Sequence, residues 1–524
     1  MLFSPKIHRY IFLFGIIGLG YGMMMGAVPT SVPQLILLGN WIAEGNYKWK
    51  WNQIKTNKLF WILSAVFLIH ILGFLYSNNL VEGWKDLQIK IPLMFLPLLF
   101  FTAKPLSKQE FNGALYCFIV GCITNTLWCL TYTFVLHQNE VVRNASRFMS
   151  HIRLGLYLNV AITVCIYFAV KAQGLIKKAF FSLCAVYFIF ILFVLGLASG
   201  LVNFAILFFL AMCVIIYWQK TLFKIAGFVF LVGFISLSVS YINSIAAIQL
   251  TTKQSENNKE LIFSGSGKTY LHFENRGQKE NGNYVQINIQ PDELKREWNK
   301  KAPADSFNYE SQQNIQRYNV LIRYLSSMGL NKDSFGVAQL NERDVLNIKK
   351  GVSNYAYPTW SFLHKRTYEL VNEYDEFRNN RKINGHSLTM RLYFWKAALH
   401  LIKQNVLFGV GTGDLQEELN RTYVETHSPL EVEWFKRPHN QFLSIAAVYG
   451  IIGLLIFIIG IVYPAFSLRK HLPKVYWPFF IIAVISFFME DTLETQAGCT
   501  FYSYFTALFV SAGYFEKYKM SSDT

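Results

Sequence analysis

The hydrophobic positions of this chain fall into long unbroken runs rather than into amphipathic stripes. Twelve runs approach or exceed the roughly 20 apolar residues that a helix needs to cross a hydrocarbon core. Their cores lie near 8–26, 27–43, 58–76, 89–103, 111–136, 152–170, 178–197, 200–218, 221–243, 439–467, 475–490 and 498–514. The second run carries Pro29 and Pro33, and the short fourth carries Pro92 and Pro97. Membrane helices tolerate proline where neighbours satisfy the freed backbone groups. No A-x-A-type cleavage site follows the run from Ile7 to Gly26, which therefore reads as a retained first helix rather than a signal peptide.

One long polar stretch interrupts the runs, from about Ser244 to Pro438. At roughly 195 residues it is large enough for a small domain. The pattern gives three regions: 1–243 with nine spans, 244–438 as the polar domain, and 439–524 with three spans. Within the domain, the segment from Lys253 to Lys259 reads as a linker, and Asn283 to Ile289 alternates as a strand does. Ile315 to Met328, Asp344 to Lys350, Ser361 to Arg378 and Leu388 to Gln404 read as helices. The fold expected is an all-α polytopic membrane protein with about twelve spans and one large α-rich domain between spans 9 and 10.

Composition agrees with this reading: 53% of the 524 residues are hydrophobic and only 15% are charged. The net charge of +17 would suggest nucleic acid in a soluble protein, but the lysines stand at the ends of apolar runs. With the N-terminus in the cytoplasm, every second loop is basic, as the positive-inside rule requires. These loops carry Lys48, Lys50, Lys55 and Lys58, then Lys104 and Lys108, Lys171, Lys177 and Lys178, Lys220 and Lys224, Arg469, Lys470 and Lys474, and finally Lys517 and Lys519. The opposite loops are poor in lysine, with Lys85, Arg143 and Arg147 the main exceptions. Both termini are thus expected in the cytoplasm and the polar domain on the other face of the membrane. Nucleic acid is excluded as a partner, and membrane lipid is implied.

Few residues offer chemistry. All seven cysteines lie in apolar runs without a C-x-x-C pair or neighbouring histidines, which fits small buried hydrophobes better than metal ligands or disulfides. Ser264-Gly-Ser-Gly-Lys-Thr269 is like the end of a phosphate-binding loop, but Ile262 stands where that motif needs its first glycine. It reads as a flexible loop. Arg153, at the outer end of the sixth span, is either a snorkelling anchor or a phosphate ligand. Arg391 opens an amphipathic helix, and the following Gly409-Val-Gly-Thr-Gly413 makes a tight turn more often than a ligand loop. His439 is the strongest candidate, in Arg437-Pro-His-Asn440 before an apolar run. At 100° per residue, Leu443, Ala446, Gly450 and Gly453 fall within about 40° of its direction. Those small residues would admit a neighbouring helix or a lipid tail beneath the imidazole. Neutral imidazole can take a proton from a sugar hydroxyl, and an arginine such as Arg437 can stabilise a diphosphate.

His439-Asn440, nine residues, and then Gly450-x-x-Gly453 resembles the signature of the O-antigen ligase and O-antigen polymerase superfamily. Arg391-x-x-x-Trp395, continuing through Asn405 to Gly413, is similar to the same family, and the span pattern is closest to its ligase members. The resemblance implies a glycosyltransferase of the metal-independent geometry-C class, without a cofactor, in the inner membrane. It would transfer a glycan from undecaprenyl diphosphate to a lipid A-core sugar on the periplasmic face. By carry-over, His439 would be the general base and Arg391 would hold the diphosphate, with Asn440 and Arg437 beside them. Polymerase or protein O-oligosaccharyltransferase activity is the alternative within the superfamily, and a polysaccharide transporter the alternative outside it. One departure is plain: family members often carry Ser-Arg where this chain has Ser199-Gly200, and Arg153 is the expected substitute.

Overall fold

The computed structural model describes residues 4–136, 146–253, 258–273, 277–303, 306, 312–379 and 383–522. Arg143, and residues 254–257 of the expected linker, lie outside them. The architecture is helical throughout, apart from one two-stranded hairpin and isolated bridges among the described residues. In chain order the helices are α1 Pro5–Gly22, α2 Ala27–Glu44, α3 Tyr47–Ile54, α4 Lys58–Phe74, α5 Leu80–Lys90, α6 Pro92–Thr102 and α7 Lys108–Thr131. Then follow α8 His151–Lys171, α9 Leu175–Val194, α10 Ala198–Tyr217, α11 Thr221–Leu250, α12 Pro291–Lys301, α13 Gln312–Met328 and α14 Ser334–Ala338. The last seven are α15 Glu342–Lys349, α16 Phe362–Arg378, α17 Thr389–Gln404, α18 Leu415–Glu425, α19 Gln441–Ser467, α20 Tyr476–Met489 and α21 Gln496–Ser522.

A helix lies at each of the twelve expected runs. Among the described residues six are long and apolar enough to cross a membrane: α7 with its continuation to Leu136, α8, α9, α10, most of α11, and α19. A seventh is reached if α3 and α4, bent by 93° at their junction, count as one span. The chain is thus a polytopic, mostly helical membrane protein. The remaining apolar helices, α1, α2, α6, α20 and α21, are shorter or less apolar.

The chain divides into two compact units, residues 1–214 with 393–524, and residues 215–392. The segment after Tyr393, grouped by its polarity with the domain, packs instead among the apolar helices. Its Asp414 carboxylate shows why, accepting hydrogen bonds from Ser77 Oγ (3.0 Å) and from the backbone amides of Asn78 (2.8 Å) and Asn79 (2.7 Å) just before α5.

The second unit is built on α11 and the polar domain. Val285, Ile289, Leu294, Trp298, Leu321, Leu325 and Ile348 form its core. The alternation expected at 283–289 holds in the burial of Val285, Ile287 and Ile289. Only Asn283–Tyr284 pairs as a strand, however, with Lys279–Glu280 across an Asn281-Gly282 turn whose φ angles are 51° and 81°. Asn-Gly suits such a turn because both positions need positive φ. The remaining extended residues find only isolated bridges, such as Leu271 with Ile289. Ser264-Gly-Ser-Gly-Lys-Thr269 is not a loose loop. Ser264 (2.6 Å) and Ser266 donate to one oxygen of the buried Glu293, and Ser334 N (3.0 Å) and Oγ (2.8 Å) donate to the other. The serine hydroxyls thus hold a carboxylate of the protein itself.

Candidate active site

α19 begins at Gln441 because Asn440 caps it: the Asn440 Oδ1 accepts from the amides of Phe442 (3.0 Å) and Leu443 (3.2 Å), and its Nδ2 donates to Phe488 O (3.3 Å). A side-chain oxygen at this position satisfies amides that the first turn leaves unpaired. His439 therefore stands outside the helix, with φ 50°, a left-handed conformation that a residue with a Cβ adopts only under constraint. The constraint is Asp491. Its buried carboxylate accepts from His439 N (2.9 Å), Asn440 N (3.0 Å) and Ser444 Oγ (2.6 Å). Burial raises the Asp491 carboxyl above its ordinary range, against the opposing bond from Ser444.

The His439 ring is half-exposed and its Nδ1 lies 3.0 Å from Glu490 Oε2. With the proton on Nδ1, facing this carboxylate, Nε2 becomes the basic nitrogen. The Phe394 ring lies 5.8 Å from the imidazole, and Trp395 Nε1 donates to Pro438 O at 2.9 Å. The Trp of the Arg-x-x-x-Trp motif thus fixes the backbone one residue ahead of the histidine.

Arg437 points elsewhere. Its Nη1 donates to Glu494 Oε2 at 2.6 Å, an oxygen shared with Lys90 Nζ at 3.0 Å, while Gln441 Nε2 donates to Oε1 at 3.0 Å. Lys90 also pairs with Asp86 at 2.7 Å. Burial alone would raise the Glu494 carboxyl, but Lys90 and Arg437 together hold it well below the usual range. For Asp86 burial prevails, assisted by the neighbouring Glu494, and raises its carboxyl to about 6. Arg437 and the carboxylates of Asp86 and Glu494, with Thr412, Ser444 and Tyr449, line a small pocket beside the histidine loop.

The helical face projected from His439 through Gly453 does not form, for two reasons. His439 precedes the helix, and α19 breaks at Gly450, where φ is 64° and ψ −165°. The backbone groups freed by the break are taken up by the glycine-rich turn: Ile451 N donates to Val406 O (2.8 Å), Val410 N to Ala447 O (3.0 Å) and Gly411 N to Val448 O (3.0 Å). Contact is so close that a Cβ at Gly450 would sit 2.2 Å from Leu407 C, and one at Gly409 2.3 Å from Val448 C. Gly409-Val-Gly-Thr-Gly413 is thus the splint of a broken helix. Gly450 packs against this turn rather than against another helix, and Gly453 sits directly under the Tyr449 side chain.

Arg391 lies half-buried in the first turn of α17, within the second unit. The start of α17 is held by Glu373, whose Oε1 accepts from Leu388 N (2.5 Å) and Thr389 N (3.1 Å). Arg153 is half-buried in the first turn of α8, capped by Ser150, and forms no ion pair among the described residues. Two residues on, Gly155 meets Gly200 of α10: a Cβ on Gly200 would lie 2.8 Å from Gly155 Cα. Asn159 Nδ2 ties this crossing by donating to both Gly155 O (2.8 Å) and Gly200 O (2.9 Å). An arginine at position 200 has no room here.

Residues 352–458 match the family model described as O-Antigen ligase. This segment, about a fifth of the chain, is similar to that family. It contains Arg391, Trp395, the glycine turn, His439 and the Gly450 break, and it supports membership in the O-antigen ligase and polymerase superfamily, whose members are membrane glycosyltransferase-like enzymes. No curated protein matches the chain by sequence. Glu490 and Asp491, which hold His439, and Glu494, which holds Arg437, lie beyond the matched residues. The sequence does not single them out by any motif, although three acids at the end of one apolar run are a signal in spans otherwise poor in acids. Among the described residues no group of three or more His, Cys, Asp or Glu side chains is placed to hold a metal ion.

Proposed function

We propose that the chain is a lipid-linked glycan transferase of the O-antigen ligase type, with His439 as its general base. The observation that carries this reading is a histidine held in a left-handed conformation by Asp491 and contacted through Nδ1 by Glu490, inside the segment similar to the O-antigen ligase family. The donor is a glycan on undecaprenyl diphosphate, and the acceptor is a hydroxyl of a lipid A-core sugar at the periplasmic face of the inner membrane. The acceptor oxygen attacks the anomeric carbon, the bond from that carbon to the diphosphate oxygen breaks, and the hydroxyl proton passes to Nε2 of His439. Charge left on undecaprenyl diphosphate is stabilised by arginine. Arg391, one helical turn ahead of Trp395, and Arg153, next to the Gly155–Gly200 crossing, take that role. Arg437 acts indirectly by holding Glu494, and Asn440 by capping α19. Twelve spans, with both termini cytoplasmic and the polar domain periplasmic, follow from the lysine distribution.

The test is transfer of a labelled glycan from undecaprenyl diphosphate in membranes containing the protein or its His439→Ala variant. Loss of transfer in a variant that still inserts supports the reading, and full activity rejects it. Lipopolysaccharide from a strain lacking the protein separates the reactions. A missing ladder over unaltered core, with accumulated lipid-linked polymer, identifies ligase activity. A core with a single repeat identifies polymerase, and an unchanged ladder with altered glycoproteins identifies protein glycosylation.

A further inference from the structure

Between α2 and α4 lies a short helix that the spans do not need. α3 is entered through two residues of positive φ, Gly45 (64°) and Asn46 (53°), and leaves at 93° to α4. An apolar helix such as α4 follows the bilayer normal within a moderate tilt. α3 therefore lies across that direction, along the membrane surface.

One edge of α3 is fastened to the protein. Lys50 is 2% exposed: its Nζ donates to Trp41 O (2.7 Å), pairs with Glu44 (2.9 Å) and sits 4.6 Å from the Trp41 ring centroid. Ile54, one turn later, is also buried. The rest of the helix is open, with Tyr47 51%, Trp49 41% and Trp51 54% exposed. By helical spacing, Lys48 and Lys55 fall opposite Lys50, and both are exposed, as is Lys58 at the start of α4. None of the three pairs with an acid among the described residues, and no Asp or Glu occurs from Gly45 to Val81. Trp51 packs edge-on against Trp61 in the first turn of α4, with centroids 6.3 Å apart, so the Trp51 flank looks toward the bilayer.

We infer that α3 is an interfacial helix that binds the headgroups of anionic phospholipids through Lys48, Lys55 and Lys58, seated by Trp51 and its aromatic neighbours. Tryptophan and tyrosine favour the headgroup level, and surface helices of this composition hold by apolar burial plus attraction to anionic lipid. The charge is uniformly positive and unneutralised, which selects an anionic surface over a zwitterionic one.

The experiment uses the full-length protein in phosphatidylcholine vesicles carrying a headgroup-proximal doxyl label, on either phosphatidylglycerol or phosphatidylcholine. The emission of α3 is isolated by subtracting a Trp49→Phe/Trp51→Phe variant. Labelled phosphatidylglycerol should quench that emission at concentrations at least fivefold lower, because each lysine near an anionic surface contributes about fivefold in affinity. Lys48→Gln/Lys55→Gln/Lys58→Gln should remove the preference while leaving the melting temperature unchanged. Equal quenching by the two lipids, no quenching by either, or a preference that survives the triple substitution would each overturn the inference.

Discussion

Asp491→Ala isolates the scaffold of the candidate base from the base itself. The substitution removes the acceptor of three hydrogen bonds, from His439 N, Asn440 N and Ser444 Oγ, and with it the constraint on a histidine at φ 50°. Bonds to a charged acceptor contribute about 1.5–3 kcal/mol each. Desolvation of the Asp491 carboxylate, visible in its raised pKa, offsets part of that sum. The left-handed conformation itself stores about 1–3 kcal/mol, which is released once the amide is free. A net bias of roughly 3 kcal/mol away from the observed conformation is a reasonable balance, equivalent to about a hundredfold in its population. α19, α20 and α21 retain their own apolar contacts, so the protein should still insert and fold. The expected outcome is a kcat about a hundredfold lower, with little change in donor KM, since the damage is to presentation of the base. Asp491→Asn, which keeps one carbonyl acceptor, should fall between. The assay is labelled-glycan transfer by purified protein alongside a thermal melt. A folded Asp491→Ala enzyme with kcat within about twofold of the parent would refute this account of how His439 is held.

Four further outcomes follow from the geometry. Gly450→Ala should cost at least about 1–2 kcal/mol from positive φ alone, with more from the 2.2 Å approach to Leu407, and should lower the melting temperature and the activity together. Gly200→Arg, which restores the arginine common in the family, should destabilise the protein rather than raise activity, because Gly155 Cα lies 2.8 Å from the new Cβ; a melt and a transfer assay check both. Arg391→Lys should not rescue what Arg391→Ala loses in donor KM, since lysine lacks the bidentate fork. Asp86 titrates in the folded protein at about 6, above its unfolded value of about 3.9. Its stabilising contribution is therefore fully present below about pH 4 and lost as pH rises through about 6, so the melting temperature should decline between about pH 4 and 6 and Asp86→Asn should flatten that decline.

Much of this molecule was legible because membrane helices announce themselves by length and apolarity alone, so a helix stands at each of the twelve runs. The place of His439 just ahead of α19 was legible from the sequence. Its surroundings were not, for a topological reason: Glu490 is 51 residues away in the chain, and Asp491 52 from the amide it holds. No local pattern reports such a pairing. The break at Gly450 escaped because it is produced by hydrogen bonds from the turn at 406–411, while the helical projection assumed an intact backbone. Ser264–Thr269 carried a phosphate-loop flavour whose real partner, Glu293, was invisible until the chain folded.

The long α11 has a mechanical consequence. At 30 residues it measures about 45 Å, against a hydrocarbon core of about 30 Å. Its far end is welded into the polar domain, with Ile245 buried beside Tyr368 and Gln249 donating to Lys279 O and Asn372 Oδ1. Lipids adjust to a mismatched helix by tilting it, and a tilt of a rod fixed at its end is a rotation of whatever it carries. α11 and the domain built on its end therefore turn as one piece, joined through Ile245, Gln249 and Tyr368.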